Sequence, residues 1–309
     1  MLIHDYTLRT VSVGSGIVGF VAGVLGCFAY LRRQGMMGAI VAHSSLGGIT
    51  VAFLLGSMLG SSELATRLIL PGAIVGGVLS MAFVSVVVHT TRIKTDTAMG
   101  IAVAIFFGGG IALLRMIQSL SLPGHRALRD YLFGQAATMT RGDVRVIVLF
   151  SIVALVVVLI GWKEFKLHTF DAGFAASIGY PMHRIDQALL AVIVLAIVVG
   201  LRTVGVILMV SLLVCPAAAA RQWTKRLSRM AILAGVLGLA SGVIGAVLSA
   251  VIRNLPTGPV ISLTATAMVL VSLLIAPRRG VLAQALRRAV NRRRFSSQSP
   301  LEPTSLTGP

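Results

Sequence analysis

The stretch AIVAHSSLGGITVAFLLGSMLG, residues 39–60, decides what kind of molecule this is. It holds no Asp, Glu, Lys or Arg, and its one ionisable side chain is the imidazole of His43. As a helix rising 1.5 Å per residue, such a run covers about 30 Å, the depth of a bilayer's hydrocarbon core. Similar apolar runs occupy residues 11–31, 68–90, 97–117, 143–162, 186–201, 204–222, 229–252 and 258–276. The two flanking Arg202 are short, so they form either a tight hairpin or one broken element. A β-barrel would show short alternating segments in place of long uniform ones. The sequence therefore predicts an all-α integral membrane protein of about nine transmembrane helices, within a range of eight to ten. A hydrophobic fraction of 56% with 12% charged residues excludes an ordinary soluble domain.

None of the nine acidic residues falls in the interior of these runs; Asp143 and Asp186 stand at segment ends and the others in connections or tails. Basic residues set the orientation. With the N-terminus outside and the segments alternating, 18 of the 27 Lys and Arg face the cytoplasm, among them Arg32, Arg33, Lys163, Lys166 and the arginines after Arg278. The positive-inside rule then predicts an external N-terminus and a cytoplasmic C-terminus. The same bias accounts for the +18 net charge without nucleic acid, which would want a soluble basic domain.

The chain divides into a membrane domain, residues 1–280, and a tail, residues 281–309, basic at first and then Ser/Pro-rich. The tail reads as a contact with anionic membrane lipid followed by disorder. Cys27 and Cys215 lie in apolar runs and read as small packing residues, not as a disulfide or metal framework. Gly19 with Gly23 and Gly238 with Gly242 have the GxxxG spacing that lets backbones approach in lipid, inside the bundle first and at a subunit interface second. Gly47–Gly48 and Gly108–Gly110 read as weak points where a helix could break or a gate could form. In the largest inner connection, Asp171 is a plausible N-cap for a short helix that Gly179 and Pro181 end. A compact cytoplasmic helix of this kind suits docking to another protein.

Three classes of membrane machine compete. Ion-coupled transporters place Asp or Glu in the membrane as the coupling site, and here there is none. A channel wants a filter of carbonyls or charges, and no such signature is evident. A permease driven by a separate ATPase needs only a lined path and a cytoplasmic docking element. The chain has no GxxxxGK[ST] phosphate loop, so it is not an enzyme, and ATP chemistry belongs to a partner.

Six ordered blocks carry a resemblance. LRRQGMMGAIVAHSSLGGITVAFLLG from Leu31, HTTRIKTDTAMGIAVAIFFGGGIALL from His89, DYLFGQAATMTRGDV from Asp130, FDAGFAASIGYP from Phe170, TVGVILMVSLLVCPAAAARQWT from Thr203 and LPTGPVISL from Leu255 are similar, in order and spacing, to blocks of one family. APRRG at Ala276 closes the series. The chain resembles the membrane permease subunits of the manganese, zinc and iron uptake branch of ABC transporters. The resemblance implies a multi-pass permease of the bacterial inner membrane that passes a divalent metal. No cofactor would be bound permanently; the metal is cargo. The implied partners are a cytoplasmic ATPase dimer that binds ATP, a second permease subunit of the same or a related kind, and an external metal-binding protein. The alternatives are a permease for a metal chelate or organic substrate, then an ion-coupled transporter or channel.

The resemblance also nominates residues. Phe170, Asp171, Phe174, Ala175, Ile178, Gly179 and Pro181 would form the loop that couples to the ATPase. His43 stands where the family has a pathway histidine. The aspartate usual four residues earlier is Ala39 here, so the carboxylate–imidazole pair that would grip a cation from one helix face is incomplete. Gly47 replaces a common proline, and Arg202 a common glutamine. His4, His89, His125, His168 and His183 are assigned no site.

Overall fold

A computed structural model of the chain describes residues 6–32, 35–60, 62–120, 128, 134, 139–252 and 255–276. The proposed tail, His4, His125 and most of the outer loop lie outside these residues. The helices are α1 (Tyr6–Leu31), α2 (Gly35–Met58), α3 (Ser62–Arg67), α4 (Ile69–Thr90), α5 (Thr95–Val103) and α6 (Gly109–Ser119). They continue with α7 (Arg141–Ile160), α8 (Trp162–Phe170), α9 (Ala172–Ser177), α10 (Met182–Val204), α11 (Val206–Trp223), α12 (Leu227–Val251) and α13 (Thr257–Ile275). A π-helical turn, Ala104–Gly108, joins α5 and α6 into one span, Thr95–Ser119. Among the described residues, eight segments are long and apolar enough to cross a membrane. The ninth apolar helix, α11, is 18 residues long and carries Pro216 within it. The expected all-α membrane architecture is therefore the observed one.

Contacts between helices give their relative directions. Gly19 lies against Gly238 and Gly23 against Ala234, so α1 and α12 run antiparallel. Gly76 meets Ser44 and Gly48 while Gly72 meets Ala52, which makes α2 and α4 antiparallel as well. Ser211 bonds Ser262 and Trp223 bonds Ser272, so α11 and α13 run parallel. The question left by the short segments around residue 202 is answered by a hairpin. Arg32 pairs with Asp186 and Val18 meets Gly200, so α10 climbs against α1; Gly26 meets Leu213, and α11 returns alongside it. The turn is Gly205, whose φ of 90° is left-handed backbone that favours glycine.

At the centre of the bundle is α1, 78% of whose spanning window is buried, against 22% for α7. What holds it there is shape. Lipid tails are as apolar as leucine, so helices gain little from hydrophobic burial and associate through close packing and hydrogen bonds. A β-carbon built on Gly19 would sit 2.1 Å from the Gly238 carbonyl oxygen, and one on Gly23 would sit 2.2 Å from that of Ala234. Gly26 approaches the Leu213 carbonyl in the same way. Ser15 Oγ adds a hydrogen bond across the contact, donating to Gly242 O at 3.0 Å. The GxxxG spacings thus serve packing inside the bundle.

This predicts a sharp contrast between glycines. Gly238→Ala places a methyl where backbone already is, and overpacking of this kind costs about 1–3 kcal/mol. Gly100→Ala meets nothing within 4 Å and should leave stability unchanged or slightly raised. Melting midpoints of the detergent-solubilised protein should fall for the first variant only; equal midpoints would reject the packing argument.

Candidate functional site

His43 lies on α2, one turn before Gly47, with its ring against the π-helical turn. Its Nδ1 is 2.7 Å from the carbonyl oxygen of Ala39. A carbonyl can only accept, so Nδ1 donates, and in the neutral imidazole the free lone pair is on Nε2. Phe107 packs edge-on against the imidazole, with centroids 4.9 Å apart and planes at 71°. The ring is half-buried. The missing carboxylate at Ala39 thus has a structural counterpart: the backbone of that same residue orients the imidazole, and the side chain offers no ligand. Among the described residues, no group of three or more His, Cys, Asp or Glu converges to hold a metal.

The π-turn is a response to glycines. A β-carbon on Gly47 would come 2.5 Å from the Phe106 carbonyl oxygen, and one on Gly110 would come 2.8 Å from Gly47 N. This close approach lets α2 press on Ala104–Gly108, and π-turns inside α-helices recur at functional sites. It also corrects one expectation. Gly47 and Gly48 do not break α2, which is helical from Gly35 to Met58. Gly47 fits the π-turn and Gly48 fits α4 at Gly72 and Gly76, so each fills a contact where a side chain would not fit. The irregular backbone is on the facing span, next to Gly108–Gly110. On the other side of Gly47 lies an open groove of about 440 Å³ lined by Val51, Leu55, Val75, Leu79 and Phe106 among others. Its walls carry no ionisable group, so it offers nothing to a bare divalent cation.

Between the membrane spans, the nominated coupling segment has the local structure its sequence dictates. Asp171 caps α9, its Oδ1 accepting from Phe174 N at 2.9 Å. Gly179, with φ of 89°, and Pro181 end the element before α10. Ala175 is buried beneath α9, while Phe170, Phe174, Ile178 and Tyr180 are exposed. Four large apolar side chains held in the open around a six-residue helix form a ready contact surface.

One constellation was missed by sequence reading. Asp186 Oδ1 accepts from Arg32 Nη1 at 2.5 Å and from His168 Nε2 at 3.2 Å. Three helices, α1, α8 and α10, meet at this carboxylate. His89 is exposed, and His183 pairs with Gln187 at 2.9 Å. Arg202 lies in α10, and its side chain is outside the description.

Comparison with known proteins follows from these features. The model of the ABC 3 transport family matches residues 4–276. A zinc transport system membrane protein of Treponema pallidum is 43% identical over 287 residues, 93% of this chain and 95% of that protein. A manganese transport system membrane protein of Bacillus subtilis is 40% identical over 97% of this chain and 68% of its own length. Among solved structures, PsaBC from Streptococcus pneumoniae in complex with Fab aligns with a TM-score of 0.78 and 28% identity, covering 93% of this chain and 97% of that one. A second, a putative metal-chelate type ABC transporter in an inward-facing conformation, shares the fold at a TM-score of 0.62 and 14% identity. A family match over residues 4–276, with 43% identity along 93% of the chain to a transport-system membrane protein, places this chain in the ABC 3 transport family as a membrane permease subunit.

Proposed function

We propose that this chain passes a divalent transition metal, Mn²⁺ or Zn²⁺, across the membrane as the permease of an ABC importer powered by a separate cytoplasmic ATPase. The observation that carries the reading is the 43% identity, along 93% of the chain, to a membrane protein of a zinc transport system. The local chemistry agrees with it. His43 presents an Nε2 lone pair with its tautomer set by a backbone bond, and neutral imidazole is a common ligand for such metals. One imidazole binds a divalent ion weakly, which suits passage over storage. A second permease subunit, the same chain or a related one, would supply further ligands. An external metal-binding protein would deliver the ion, and the ATPase dimer would dock on Phe170, Phe174 and Ile178. Gly47, at its backbone contact with the π-turn, and Gly48, which holds α2 against α4, would form the gate beside His43.

A metal chelate or organic substrate is the second reading, favoured by the apolar groove near Gly47. ATP-dependent uptake of Mn²⁺ or Zn²⁺ into proteoliposomes holding the permease and its ATPase decides between them. Uptake only in the presence of a chelator, or uptake without the ATPase, would overturn the metal reading.

His43→Ala should lower metal uptake about tenfold, on the order of 1.4 kcal/mol, while the ATPase still co-purifies. Ala39→Asp should tighten the apparent metal affinity about tenfold, because a carboxylate one turn from the imidazole completes a two-ligand face. Unchanged uptake kinetics in both variants would take His43 off the path. At the docking face, Phe174→Asp should weaken ATPase binding by about thirtyfold or more, since a buried aromatic anchor contributes on the order of 2 kcal/mol. Pull-down of the ATPase at graded concentrations measures it.

A further inference from the structure

We infer that α1 is the rod carrying ATPase-driven motion into the membrane domain, and that Arg32, Asp186 and His168 are the positioning residues clamping its inner end to the coupling region. The inference rests on the reading of α9 as the ATPase contact.

The connection begins at α9. This short helix is joined to α8 at Asp171, whose amide donates to Leu167 O at 2.9 Å, so α8 and α9 meet with no slack residue between them. α8 in turn is pinned to the inner end of α1. Phe28 of α1 is fully buried and meets two aromatic rings of α8 edge-on: Trp162 at a centroid distance of 5.7 Å and Phe165 at 6.2 Å. Aromatic pairs at these separations favour such T-shaped geometry and resist sliding.

Four residues further along α1, the polar clamp takes over. Arg32 stands just past the C-terminal end of the helix, where a cation also complements the helix dipole. Its guanidinium and the His168 imidazole share one oxygen of Asp186. The His168 side chain is 8% exposed and that of Arg32 13%, so both donors are shielded, while the Asp186 carboxylate they share is 33% exposed. Shielded charge-assisted bonds are strong and directional. Asp186 lies in the first turns of α10, which means that α1, α8 and α10 move together or the clamp opens.

Motion delivered to this end of α1 then has no soft layer to cross. At Gly19, Gly23 and Gly26 the rod touches α12 and α11 backbone to backbone, with no side chain between them able to absorb a shift by changing rotamer. A displacement of α9 by the ATPase would therefore reach α11 and α12 at full amplitude. Apolar contacts alone would hold α8 near α1, yet allow it to roll. The shared carboxylate fixes the angle.

The test uses the complete transporter, with its ATPase and binding protein in proteoliposomes, and reads radioactive Mn²⁺ moved per ATP hydrolysed. Asp186→Asn should keep the ATPase bound and hydrolysing within twofold of wild type, while Mn²⁺ moved per ATP falls about tenfold. His168→Gln, which retains an N–H donor toward Asp186, should recover most of the ratio. His168→Ala leaves the Arg32–Asp186 pair in place and strands no buried charge, so it serves if the Asn variant does not assemble; it should lower the ratio at least threefold. An unchanged ratio in an assembled variant, or a parallel fall of hydrolysis and uptake, would overturn the inference. The docking reading fails separately, by undiminished ATPase binding in Phe174→Asp.

Discussion

The structure depends on backbone meeting backbone at glycine. In water, α1 could have been held at the centre of a bundle by burying leucine side chains. In lipid that gain largely vanishes, and close van der Waals packing with a few hydrogen bonds must replace it. The chain answers with Gly19, Gly23 and Gly238, whose α-carbons allow α1 and α12 to touch at distances that leave no room for a methyl group. The pair α2 and α4 repeats the device at Gly48, Gly72 and Gly76. Two rigid pairs result, and the remaining spans pack around them.

The same constraint shapes the surroundings of His43. Gly47 brings α2 so close to the facing span that its regular hydrogen-bond ladder gives way to the π-turn Ala104–Gly108. Phe107, carried on that turn, is what packs against the imidazole. The histidine's surroundings are therefore set by a glycine four residues away and a backbone irregularity on another helix. Because Nδ1 is committed to the Ala39 carbonyl, the side chain has a single free ligand atom. Among the described residues no group of three or more His, Cys, Asp or Glu forms around it, which fits the proposed role of handing an ion on.

How much of this was legible in sequence differs by the range of the interactions involved. Spans are local: apolar length alone found them, α11 included. The Asp171 cap and the Gly179–Pro181 stop were legible because an N-cap and a helix end are decided within four residues. Gly47 and Gly48 were misread as a break because a glycine in an apolar helix looks the same whether it weakens the helix or admits a neighbour. Only the facing backbone distinguishes the two. His168 carried no signal at all. Its partner Asp186 is 18 residues away across a helix–turn–helix, and Arg32 arrives from the far end of the chain's first span.

Position along α1 explains why the polar clamp sits where it does. Between Thr10 and Leu31 the helix carries no charged side chain, as a buried span must, so any ionic hold on it has to lie at an end. The N-terminal end begins near Arg9, which is exposed. At the other end, Arg32 lies just past the last turn of α1, beside α8. A charge there can be shielded by protein without being stranded in lipid, which is the condition under which a shared carboxylate makes strong bonds at tolerable desolvation cost. The membrane thus dictates both halves of the mechanism: glycine contacts where charge is forbidden, and a charge clamp at the first depth where it is allowed.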